Sequence, residues 1–178
     1  MKKTILTLAL LTGLSSVLFA QSTNNRAKLS IGAELALPVG DLGLISSLGY
    51  GASLKGELNV AESLSLNASA GFLSFGYKKE FKDLFKAAGI SMGSMSAIPL
   101  KAGAKYNFGQ KFYAAAELGA SFGLTEGGGT AFVYAPGAGI VLPLSSGKSV
   151  DIGVRYESWA NQGNASFIGF RAAYTFGI

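Results

Sequence analysis

Three observations predict an all-β fold, an eight-stranded antiparallel up-and-down transmembrane β-barrel. Eight segments alternate apolar and polar residues, their connections alternate between tight and long, and the charges on the polar faces balance. A period of two is the strand period, because successive side chains point to opposite faces of a sheet. The clearest case is "IPLKAGAKYNFGQKFYAAAELGASFG" from Ile98. Ile98, Leu100, Ala102, Ala104, Tyr106 and Phe108 fall on one side, with Lys101, Gly103, Lys105 and Asn107 on the other. After "GQ", Phe112, Ala114, Ala116, Leu118, Ala120 and Phe122 oppose Tyr113, Glu117, Gly119 and Ser121. Two such runs joined by a Gly-containing pair read as a hairpin.

In chain order, the first strand (28–37) sets Leu29, Ile31, Ala33, Leu35 and Leu37 against Glu34. The second (49–59) sets Tyr50, Ala52, Leu54 and Leu58 against Lys55 and Glu57. The third (64–77) carries Leu64, Leu66, Ala68, Ala70 and Phe72 opposite Asn67. The fourth and fifth (97–108 and 111–123) form the hairpin above, and the sixth (132–144) holds Gly137 and Gly139. The seventh (149–159) sets Val150, Ile152, Val154 and Tyr156 against Asp151, Arg155 and Glu157. The eighth (166–177) sets Ile168, Phe170, Ala172, Tyr174 and Phe176 against Arg171. Ordinary strands have about five or six residues, whereas a tilted strand of about 9–11 crosses a bilayer. The predicted segments have the second length.

Three connections, "VAES", "GQ" and "SSGK", are tight turns. The others, "PVGDLGLISSL", "KKEFKDLFKAAGISMGSMS", "LTEGGGTA" and "ANQGNA", are mostly longer. Short turns at one end and long loops at the other is the layout of an outer-membrane barrel. An even strand number puts both termini at the short-turn, periplasmic end. In the 78–96 connection Phe81, Leu84, Phe85 and Ala88 recur at helix spacing, with Lys79, Lys82, Asp83 and Lys86 on other faces. It reads either as a short amphipathic helix at the rim or as a loop whose aromatics cover the mouth.

The polar faces carry Glu34, Lys55, Glu57, Lys101, Lys105, Glu117, Asp151, Arg155, Glu157 and Arg171, five acids and five bases among Gly, Ser and Ala. A soluble barrel would turn these to water; a membrane barrel turns them inward. Equal charge suits a narrow interior, where unpaired ions are costly. Aromatics also gather near segment ends, as in interfacial girdles. Tyr106, Phe108, Phe112, Tyr174 and Phe176 lie by the short turns. Tyr50, Phe72, Phe122, Phe132, Tyr134, Tyr156 and Trp159 lie by the long loops. An Arg or Lys at mid-bilayer costs about 2–4 kcal/mol, and no charge interrupts an apolar face. The expected lumen is therefore a network of paired charges.

The start "MKKTILTLALLTGLSSVLFAQ" has a basic end, an apolar run and a small residue at Ala20. It predicts a signal peptide over 1–20, a periplasmic linker over 21–27 and a barrel over 28–178. Without Lys2 and Lys3 the chain has 13 basic and 10 acidic residues, a net +3. No basic cluster with interleaved aromatics points to nucleic acid. The chain has no Cys and no His, which removes disulfides, thiol chemistry and Ser-His or Cys-His nucleophile pairs. The remaining carboxylates sit beside Arg and Lys at lumen spacing and read as ion pairs. No catalytic residue, metal ligand or cofactor is expected.

The stretches "IGAELALPVGDLG", "IPLKAGAKYNFGQKFYAAAELG", "APGAGI" and "RAAYTFGI" resemble the small outer-membrane β-barrel family of Gram-negative bacteria, of the Bacteroidetes type. The resemblance covers nearly all of the mature chain. It implies an eight-stranded barrel like the OmpA and OmpX transmembrane domains and carries over no catalytic residue. The chain ends in Ile178 where many such proteins end in an aromatic, and Phe176 stands nearest.

The expected function is a structural or surface-interaction role in the bacterial outer membrane, as a monomer. Partners would be membrane lipid and lipopolysaccharide, and extracellular molecules through the loops. Lys78, Lys79, Lys82 and Lys86 are the candidate lipopolysaccharide contacts. The alternative is a small pore or transporter for ions or a hydrophobic solute, with Gly103, Gly137, Gly139 and Gly153 leaving an internal path. The competing explanation is that these glycines serve packing and curvature.

Overall fold

The computed structural model describes residues 27–178 apart from 88, 90–92, 126–127, 145–146, 162 and 178. The expected signal peptide, residues 21–26 of the linker and the terminal Ile178 lie outside the described residues. The strands are β1 (Ala27–Val39), β2 (Ser46–Asn59), β3 (Leu64–Tyr77), β4 (Met95–Phe108), β5 (Phe112–Gly123), β6 (Thr130–Pro143), β7 (Lys148–Ala160) and β8 (Asn164–Gly177). All pair antiparallel with their chain neighbours. β1 also pairs with β8, from Lys28↔Gly177 to Val39↔Ser166, which closes the barrel. Closure leaves no edge strand with unpaired backbone groups, the condition for a sheet to survive in hydrocarbon.

The alternation works as the sequence predicts, but inside out relative to a soluble protein. Leu118 is 57 % exposed, while Glu117 beside it is 4 % exposed. Ile31, Leu35, Leu54, Leu66, Ile152 and Val154 likewise face outward. An apolar band this continuous requires an apolar solvent, and with a charged interior it defines a transmembrane barrel. Exposed Tyr106, Phe108, Phe112 and Tyr174 ring the short-turn end. Tyr50, Phe72, Phe122, Phe132, Tyr134 and Tyr156 ring the other. Trp159 does not join this girdle: it is buried inside. Its nearness to a loop suggested the girdle, but it shares parity with Asp151, Arg155 and Glu157, and parity decides the face.

The strand ends differ from expectation mostly at the long-loop side. β2 begins at Ser46, with a register irregularity between Ser46 and Gly49 that re-aims it. β1 begins at Ala27, the last residue of the expected linker. The ladder of β7 and β8 continues to Ala160↔Asn164, so their connection is only 161–163 and not a long loop. The asymmetry between the ends therefore rests chiefly on the 78–94 connection. Two short helices stand at this end among the described residues: α1 (Gly40–Ile45) and α2 (Lys79–Ala87). α2 resolves the two readings of that loop in favour of the helix. At the opposite end Gly109 (φ 69°) and Gly147 (φ 71°) take the left-handed conformation that tight turns need.

Candidate functional site

All ten predicted interior charges point into the lumen, and each has an oppositely charged partner. Seven form one alternating chain: Lys55–Glu117–Lys101–Glu157–Arg155–Glu34–Arg171. Lys55 Nζ meets Glu117 Oε1 at 2.7 Å, an ion pair lying off the hydrogen-bond direction. Lys101 Nζ bridges Glu117 at 3.2 Å and Glu157 at 2.7 Å. Arg155 donates through Nε to Glu157 (2.6 Å) and through Nη1 to Glu34 (2.7 Å). Arg171 lies 3.4 Å from Glu34, its register partner on β1. The other three charges form a triad nearer the short turns. Lys105 Nζ contacts Glu57 at 3.1 Å and Asp151 at 3.0 Å.

These pairs brace the barrel across its interior. Lys55–Glu117 joins β2 to β5, Lys101–Glu157 joins β4 to β7, and Arg155–Glu34 joins β7 to β1. None of those strand pairs are neighbours in the sheet. Interior ions bear a desolvation cost that only close, well-bonded partners offset, and neutral donors and acceptors complete the bonding. Arg171 donates to Ser53 (2.8 Å) and Ser30 (3.0 Å), and Ser53 donates to Glu34 (2.6 Å). Tyr113 donates its hydroxyl to Asp151 at 2.8 Å, with Lys105 Nζ 4.3 Å from its ring centre. Trp159 Nε1 donates to Glu157 at 2.7 Å. Sequence reasoning set Tyr113 on the polar face without giving it a role and did not name Ser30 or Ser53. Their inward parity was the available signal.

Towards the long-loop end the polar network gives way to an apolar cap. Phe75 packs on Phe167 (5.3 Å between centroids) and on Trp159 (5.9 Å), and Trp159 on Phe167 (5.5 Å). Leu73, Val133, Ala36, Ala97 and Leu42 of α1 complete the cluster. The lumen is filled below it, as expected for eight strands. Two cavities of about 30 Å³ each flank the charge network. The internal glycines hold room for neighbours. A side chain at Gly137 would stand 2.8 Å from Arg155 Cβ, and one at Gly153 would stand 2.6 Å from the Tyr113 hydroxyl. Gly139 also receives Tyr113, and Gly103 lies against the backbone of Ala116 and Glu117.

The rim carries the second candidate. On α2, Phe81 stacks on Tyr77 (6.0 Å) and packs on Phe85 (5.0 Å). Lys79, Lys82 and Lys86 recur at i, i+3 and i+7, so they share one exposed face. Lys78 plays a separate part. Its Nζ donates to the Gly43 carbonyl of α1 at 2.5 Å, which ties the two loops together.

Neither a protein-family model nor a curated protein matches the chain. Solved structures do. Ail, the attachment invasion locus protein of Yersinia pestis, superposes with a TM-score of 0.59 at 17 % identity, covering 86 % of this chain and all of its own. Neisserial surface protein A gives 0.59 at 13 % identity, covering 89 % of this chain and 100 % of its own. The outer membrane protein AlkL gives 0.51 at 14 % identity, covering 89 % and 95 %. The chain shares the fold of these small barrels.

Proposed function

We propose that the chain is an integral protein of a bacterial outer membrane, a closed and internally braced barrel that acts through its outer rim by holding anionic surface glycolipid, lipopolysaccharide. The observation that carries this reading is the lysine stripe of α2. Lys79, Lys82 and Lys86 stand beside the Tyr77–Phe81–Phe85 stack, above an apolar band that meets lipid. Aromatics seat at the interface, and flexible ammonium groups reach phosphate as point charges. The outer-membrane location is supported by the apolar outer band, the signal-peptide pattern and the likeness to outer-membrane barrels. Ail has also been solved in complex with the heparin analogue sucrose octasulfate, and the same ligand class, a polyanion, is proposed for this rim. A non-enzymatic role belongs to the reading. Each interior carboxylate is tied to a cation, and the chain has no His or Cys.

Replacing Lys79, Lys82 and Lys86 together by Gln tests it, leaving the Lys78 tie intact. A basic residue near an anionic surface contributes about 1 kcal/mol. Binding of the purified barrel to lipopolysaccharide should weaken on the order of 10- to 100-fold at low salt, and the difference should shrink at high salt. Equal binding by the variant and the parent at both salt concentrations would contradict the proposal.

A further inference from the structure

We propose that the lumen binds a small monovalent anion, chloride by size, in the cavity between Lys55, Lys101, Arg155 and Arg171. The inference is independent of what the rim binds. It begins with charge. The seven-membered chain holds four cations and three carboxylates, a surplus of +1. The matching deficit sits apart, on the Glu57–Lys105–Asp151 triad. Neutrality of the whole lumen therefore leaves a local positive excess where the dielectric is low and each charge is felt strongly.

Donors are in surplus at the same place. A lysine ammonium offers three N–H donors and an arginine guanidinium five, with no acceptor on either. Arg155 uses Nε and Nη1 on carboxylates, and Arg171 uses Nε and Nη2 on serines. Among the described residues, Nη2 of the first and Nη1 of the second have no such bond, and Lys55 Nζ has a single carboxylate contact. The cavity of about 30 Å³ is lined by all four cations, with Glu34 and Glu117 as the only carboxylates among the described residues. An anion there meets twice as many cations as anions.

The third observation is Ser69. Its hydroxyl lines this cavity and is buried without a protein hydrogen-bond partner among the described residues. A hydroxyl can turn its proton towards an anion. It stands on β3 between Lys55 and Lys101, its register partners on the two neighbouring strands. Size then selects the ligand. A single water needs about 10–15 Å³, so the cavity takes a chloride or a water pair.

The test compares thermal unfolding of the purified, refolded barrel in sodium chloride and in sodium gluconate at equal ionic strength. The midpoint should rise with chloride and saturate, while gluconate should give no rise. Bromide should replace chloride, and crystals grown with bromide should show an anomalous peak in this cavity. Ser69→Ala keeps every charge and should fold; its chloride response should need several-fold more salt. Lys55→Gln removes the surplus charge and should abolish the response. Equal midpoints in both salts, with no bromide peak, would mean a cavity that is merely hydrated and would overturn the proposal. A peak without a stability response would mean binding at crystal concentration only and would overturn it as well.

Discussion

Glu157→Ala is expected to destabilise the barrel by about 3–5 kcal/mol, the range for stranding a buried charge. Glu157 is fully buried and holds three donors at once: Lys101 Nζ at 2.7 Å, Arg155 Nε at 2.6 Å and Trp159 Nε1 at 2.7 Å. Truncation leaves two cations facing each other across the space it filled. It also cuts the seven-membered chain in its middle, so Lys55–Glu117–Lys101 is severed from Arg155–Glu34–Arg171. Lys55→Ala should cost less, because that side chain is 17 % exposed and bonds one carboxylate at the end of the chain. Urea unfolding in lipid vesicles measures both. A loss under about 1 kcal/mol for Glu157→Ala would mean that water reaches the site and replaces the lost partner.

Phe75→Ala is the second large effect, expected at about 3–5 kcal/mol from lost burial and the cavity left behind. Phe75 is 1 % exposed and joins Trp159 to Phe167 in the apolar cap. Gly49 makes room for it: a side chain there would stand 2.5 Å from the Phe75 ring. The chain has one tryptophan, so Trp159 reports on this cap alone. Its fluorescence should be shielded from a water-soluble quencher in the parent and become accessible in Phe75→Ala. Phe72→Ala, on the lipid side, should leave Trp159 shielded. An accessible Trp159 in the parent would mean that the cap does not seal.

The fold and the set of interior charges were legible because both follow from parity. In a strand buried in lipid on one face, a charge has only one tolerable direction, so Glu34, Lys101 and Arg171 identify the lumen by themselves. Aromatics carry no such instruction. Tyr113 and Trp159 have a place on either face of a membrane barrel, and only their phase relative to a charged neighbour separates them. The pairing was not legible either. Glu34 and Arg171 meet through sheet register, but Lys55 reaches Glu117 across the lumen, and that depends on barrel stagger and side-chain length. α1 was missed because "GDLGLI" shows no periodic pattern over six residues, and its anchor, Leu42, is set by the barrel mouth.

Closure of the lumen is the central claim, and planar-bilayer conductance of the purified barrel tests it most directly. The braced charges, the small cavities and the Phe75–Trp159–Phe167 cap predict no steady conductance steps above the lipid baseline in concentrated salt. A large, steady single-channel conductance would contradict it.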